Sequence, residues 1–158
     1  MSRLRTALAA ISLAVLAGAA HGECAFDEGY FSRDTYAGKP GVETLVWLAD
    51  AKEARIITSE HDLVSVKHWA CDALGLEARM LVDPDPGDDA ALKHKLVGLA
   101  RLVLGEAELA GFTAAIGTVA DLSGTKVDIP GAANMPEFYY IVQRLDGFDV
   151  ITLKYYYN

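Results

Sequence analysis

EFYYIVQRLDGFDVITLKYYYN, residues 137–158, combines turn chemistry, strand periodicity and side-chain type in one stretch. Asp146-Gly147 suits a two-residue type I′ turn, in which both central residues need positive φ, and it separates two runs rich in aromatic and β-branched residues. The stretch is therefore a β-hairpin, and a two-residue turn sets its register. Leu145 pairs with Phe148, Arg144 with Asp149, Val142 with Ile151, Tyr140 with Leu153 and Phe138 with Tyr155. One face is thus apolar along its length and ends in an opposite-charge pair beside the turn. Each favourable cross-strand contact of this kind contributes roughly 0.2–1 kcal/mol. The other face carries Tyr139, Ile141, Gln143, Val150, Thr152, Lys154 and Tyr156. That mixture calls either for a covering element or for a contact surface.

Residues 118–136 hold Gly124, Pro130, Gly131 and Pro136 and read as a loop, with one short strand expected near 125–129. Before it, residues 88–104 have a helical period. Leu92, Leu96, Leu99 and Val103 make one apolar stripe, opposite His94, Gly98, Arg101 and Gly105. Such a helix is about 25 Å long, close to the length of a seven- or eight-residue strand, so it can cover one sheet face. Gly105 should break or bend it, and a second helical piece over 106–116 is expected to end at Gly117 in a left-handed C-cap.

The run Asp83-Pro84-Asp85-Pro86-Gly87-Asp88-Asp89 stops a strand and starts that helix, with Asp88 or Asp89 as N-cap. Upstream, residues 43–83 read as an antiparallel meander. Residues 42–57 fit either period, but the compact β-branched 54–59, the turn-like Ser59-Glu60-His61-Asp62 and the strands expected at 63–71 and 76–83 favour strand. Leu74-Gly75 is the expected turn into the last of these. Residues 23–40 have no sustained period and form an irregular segment that Tyr30, Phe31 and Tyr36 can pin to the body.

Residues 1–22 have the layout of a secretory signal peptide: Arg3 and Arg5, an apolar block too short for a comfortable permanent membrane span, then Ala20 and Gly22 before an expected cut at Glu23. Residues 23–158 are then a single domain, exported to a periplasmic or extracellular compartment, with no stable membrane span after cleavage. Two cysteines in an exported chain imply one disulfide, Cys24 to Cys71, worth about 4 kcal/mol by loop entropy. Losing the two arginines takes the net charge from −8 to −10. Such a chain lacks the basic clusters of a nucleic-acid surface, and its long-range field favours a basic partner.

The residues name no reaction. Counted from Asp83, the acidic run places its glycine fifth and His94 twelfth, whereas a calcium-binding EF-hand needs glycine sixth and glutamate twelfth. His68 and Cys71 are three apart on a strand, which directs them to opposite faces and weakens a zinc half-site. Ser59, His61 and Asp62 have the residue types of nucleophilic catalysis, but neighbours on a turn diverge. No cofactor is implied.

The expected architecture is α+β: a meander plus C-terminal hairpin in one antiparallel sheet, covered on one face by a helix or broken helical pair. The expected function is that of an exported acidic binding protein, an inhibitor or immunity-type protein that neutralises a protein partner. Its expected contact residues are Tyr139, Ile141, Val150, Lys154 and Tyr156. The competing readings are a small exported hydrolase or metal-binding module, and a structural envelope protein that self-associates through the hairpin.

Overall fold

The computed structural model describes residues 30–70, 74–82, 89–120, 122, 127–128, 137–145 and 148–157. The expected signal peptide, both cysteines of the expected disulfide and residues 83–88 of the acidic run lie outside these. The described strands are β1 (Val42–Leu48), β2 (Glu53–Thr58), β3 (Leu63–Ala70), β4 (Leu74–Val82), β5 (Val127–Asp128), β6 (Glu137–Leu145) and β7 (Phe148–Tyr157). They form one antiparallel sheet in the order β1-β2-β3-β4-β7-β6-β5. Two helices, α1 (Asp89–Val103) and α2 (Glu106–Thr118), complete an α+β fold. Among the described residues no helix is long and apolar enough to cross a membrane.

The hairpin register is the one that a two-residue turn dictates, from Leu145 opposite Phe148 to Phe138 opposite Tyr155. Because side chains alternate across a strand, this register sends Tyr140, Val142, Ile151, Leu153 and Tyr155 to one face, where Ala54, Ile56, Val64, Val66, Ala78 and Met80 join them in the core. Leu92, Leu96, Leu99 and Val103 of α1 are all buried against that face, with Phe112 and Ile116 of α2. His94 and Arg101 face solvent, as the helical period requires.

Two terminations differ from the expected ones. Leu74 and Gly75 are not a turn but the first residues of β4, paired with Ala70 and Trp69. β7 runs on to Tyr157 and supplies Gly75 with a second neighbour, Tyr156, so the ladder extends through the glycine. Helix α2 does not stop at Gly117 in a left-handed cap. It continues to Thr118, whose hydroxyl donates to the Ala115 carbonyl (2.7 Å), and leaves the helix at Val119 in an extended conformation.

The segment before β1 lies on the same face as the helices, over the end of the sheet that they leave uncovered. It makes a 3-10 turn at Arg33–Thr35, closed by a reciprocal capping box between Ser32 and Thr35. Lys39 ties it to α1 by donating to the Leu102 carbonyl (2.7 Å). Tyr36 is buried, Phe31 packs on the core and Tyr30 is exposed.

Beneath this segment His68 of β3 is enclosed by the rings of Phe31, Tyr36 and Trp47, at centroid distances of 4.4, 5.6 and 5.7 Å. Its backbone N–H donates to the Lys52 carbonyl at 3.0 Å, and its Nδ1 lies 3.1 Å from the same oxygen. A carbonyl only accepts, so Nδ1 carries the proton and the Tyr36 hydroxyl donates to Nε2 at 2.5 Å. Lys52 sits in the left-handed region at φ 51, a conformation that costs a non-glycine residue about 1 kcal/mol and that the paired bonds from His68 help to offset.

Burial holds the His68 pKa below its ordinary 6.5. The unfolded chain protonates this histidine near 6.5 while the folded chain keeps it neutral to lower pH. The stability contribution is therefore whole above that value and is lost as pH falls through it toward the folded-state pKa. The urea midpoint should decline between pH 7.5 and 5.5, and this decline should be smaller in a His68→Gln variant.

Candidate functional site

The second sheet face, opposite the helices, is crossed by no described helix or loop. The registers arrange it in four rows that run across the strands. In the first, Thr44, Ile57, Leu63, Leu81, Val150 and Gln143 stand side by side; in the second, Val46, Arg55, Ser65, Arg79, Thr152 and Ile141. The third is Leu48, Glu53, Lys67, Glu77, Lys154 and Tyr139, and the fourth contains Trp69, Gly75, Tyr156 and Glu137. All five expected contact residues, Tyr139, Ile141, Val150, Lys154 and Tyr156, therefore lie on this one face. Of these, Tyr139, Ile141, Val150, Lys154 and Tyr156 are all half-buried, each flanked by neighbours on the adjacent strands.

The expected set was the hairpin's share of a wider surface. Ile57, Leu63 and Leu81 are 39 %, 50 % and 43 % exposed and stand side by side, so they form a contiguous apolar row rather than scattered single residues. Their alternation with the buried Ile56, Val64 and Met80 was legible along each strand. What was missing was the pairing that sets them in one row with Val150.

Charge on this face is ordered by the same registers. Glu77 accepts from Arg79 Nη2 at 2.6 Å and lies 3.4 Å from Lys154 Nζ; Glu53 accepts from Arg55 Nε at 2.9 Å and from the Ser65 hydroxyl at 3.0 Å. Its bond with Arg55 is the main cause that holds the Glu53 carboxyl below the usual carboxylate range. Lys154 Nζ sits 5.2 Å from the centroid of the Trp69 ring and 5.1 Å from that of Tyr156, within reach of a cation–π attraction to both. The hydrogen bond with the Tyr156 hydroxyl is the main cause that raises the Lys154 pKa, and Tyr139 and then the Glu77 carboxylate add to it.

Trp69 and Tyr156, with ring centroids 5.6 Å apart, flank Gly75 in the fourth row. A Cβ on Gly75 would come within 2.6 Å of the Tyr155 carbonyl oxygen and 3.0 Å of the Tyr156 ring. Alanine would gain about 0.5–1 kcal/mol from a less flexible unfolded chain, but forcing atoms into a filled space costs about 1–3 kcal/mol, so the clash prevails. Gly75→Ala should lower stability by about 1–2 kcal/mol in urea and alter the near-ultraviolet signal of Trp69.

The remaining polar clusters are engaged in structure. A cleft of about 220 Å³ lies between the β2–β3 turn and α1, lined by Thr58, Ser59, Glu60, Asp62, Lys95 and Arg101 among others. Lys95 spends its donors on Glu60 Oε2 (2.9 Å) and both oxygens of Asp62 (2.9 and 2.8 Å), and His94 meets the other Glu60 oxygen at 3.0 Å. Lys95 and His94 hold the Glu60 carboxyl below its usual range.

Ser59, His61 and Asp62 do not converge. Asp62 is held by Lys95, the Ser59 N–H donates to the Gly41 carbonyl, and His61 is exposed with a left-handed φ of 65. Both ring nitrogens of His68 are occupied, and among the described residues no three His, Cys, Asp or Glu side chains group to hold a metal ion. Comparison with protein-family models, with curated proteins and with solved structures finds no match.

Proposed function

We propose that this chain is an exported acidic binding protein that blocks or neutralises a protein partner, as inhibitors and immunity proteins do, and that the uncovered sheet face is its contact surface. One observation supports this above the others: the exposed row Ile57, Leu63, Leu81, continued by Val150, on a face that no described element covers. From β1 to β6 the four rows span about 24 Å by 20 Å between outermost Cα positions. With side chains at the rim this approaches the roughly 800 Å² that each partner buries in a stable complex. The face also has the makeup of a contact surface, with an apolar row, an aromatic pair at one end and arginines between.

The full chain, purified as the cell processes it, serves as bait in an extract of the native cell envelope and its neighbours, beside a Leu63→Lys, Leu81→Glu variant. A saturable protein partner that the variant loses is the expected result. Hydrolytic activity of the purified protein on an envelope substrate, unaffected by this variant, would overturn the reading.

A further inference from the structure

We infer that the surface recognised by the uncovered sheet face is acidic: a protein patch with an apolar centre edged by carboxylates. This rests on the reading of that face as a contact surface and names the chemistry of its partner. The chain as a whole is acidic, with a net charge of −8. Net charge alone therefore points to a basic partner. The face reverses the sign. Across β1 to β6 it places Arg55, Lys67, Arg79 and Lys154 against Glu53, Glu77 and Glu137, the last set beside Tyr156 by the register, an excess of one positive charge. At physiological salt, charges farther apart than about 8 Å are largely screened, so at contact the local patch outweighs the distant carboxylates of the molecule.

The two arginines are placed to be shared. Arg55 and Arg79 occupy one row, separated by Ser65, and so stand two strands, about 10 Å, apart. Their side chains are 60 % and 61 % exposed. Each is tethered to the glutamate two residues earlier on its own strand, Arg55 through Nε and Arg79 through Nη2. A guanidinium has five N–H donors, so each retains donors for an incoming carboxylate, and exposed ion pairs of this kind hold an arginine in place without saturating it. Leu63 and Leu81 flank this row about 7 Å away along the strands. Arginine beside aliphatic side chains fits a protein surface, where carboxylates rim an apolar centre; a polyanionic glycan would leave the leucines uncovered.

The test is a binding titration of the full processed chain with a labelled amphipathic helical peptide whose leucine stripe is edged by glutamate. The same peptide edged by lysine, and polygalacturonate, serve as the other probes, and an Arg55→Glu, Arg79→Glu variant is run in parallel. The glutamate-edged peptide should bind saturably and more weakly as salt rises. The charge-reversed variant should lose at least tenfold in affinity for it and turn toward the lysine-edged peptide. Circular dichroism keeps loss of fold distinct from loss of binding, since both arginines are exposed.

The inference is overturned if the glutamate-edged peptide does not bind, if the lysine-edged peptide binds wild type equally well, or if charge reversal leaves affinity unchanged. Tighter binding of polygalacturonate than of either peptide overturns it in favour of a glycan. A partner captured from envelope extract that is lost with Leu63→Lys, Leu81→Glu but retained by the charge-reversed variant would leave the binding function standing and refute the acidic partner alone.

Discussion

A chain carrying Leu63→Lys and Leu81→Glu should keep its fold and lose a hundredfold or more of its affinity for the protein partner proposed above. Both leucines are about half exposed, so replacing them removes little core, and the two positions are directly opposed on β3 and β4. The introduced lysine and glutamate therefore face one another, and an opposite-charge cross-strand pair contributes roughly 0.2–1 kcal/mol to the folded state. Net charge is unchanged, which separates this test from the charge reversal at Arg55 and Arg79. At the interface the balance differs. Two charges placed where a partner seats apolar groups must be desolvated, and the few residues that carry an interface cost about 1–2 kcal/mol or more each when lost. About 3 kcal/mol in total corresponds to a loss of more than a hundredfold. Calorimetric titration of wild type and variant, with urea midpoints beside it, checks both halves; equal affinities would remove the apolar row from the contact surface.

Tyr36→Ala should cost about 3–5 kcal/mol, the range for deleting a buried aromatic ring. Tyr36 is fully buried, its ring packs beside His68, and its hydroxyl is the donor to His68 Nε2. Removing it opens a cavity, orphans a buried acceptor and frees the segment that Lys39 ties to α1. Tyr36→Phe keeps the ring and removes only the hydroxyl, which should cost about 1–2 kcal/mol. Thermal melts followed by circular dichroism should rank the three chains, at about 2–4 °C per kcal/mol for a domain of this size. Because this segment lies on the helix side, partner binding by Tyr36→Phe measured well below its melting temperature should match wild type. A loss there would mean that the contact surface wraps around the β1 edge.

The hairpin, the meander, the helix break at Gly105 and the buried stripe of α1 were legible in the sequence, because each is written in local periodicity or in residues with narrow backbone preferences. Asp146-Gly147 set which hairpin residues share a face, and so placed Tyr139, Ile141, Val150, Lys154 and Tyr156 together. The rest of that face was not legible, since a row across a sheet is defined by registers between strands far apart in the chain. Leu63, Leu81 and Val150 become neighbours only when β4 pairs with β3 on one side and β7 on the other. The role of Gly75 was not legible for the same reason: alone it signals a turn, and only the Tyr155 carbonyl and the Tyr156 ring beside it show a strand position that tolerates no side chain. His68 acquires its donor from Tyr36, 32 residues earlier, and its acceptor from the carbonyl of Lys52. Local pattern thus determined which elements form and which face each one buries. Tertiary pairing, which matches surfaces without regard to sequence distance, decided which side chains meet across strands and that no described element covers the face opposite the helices.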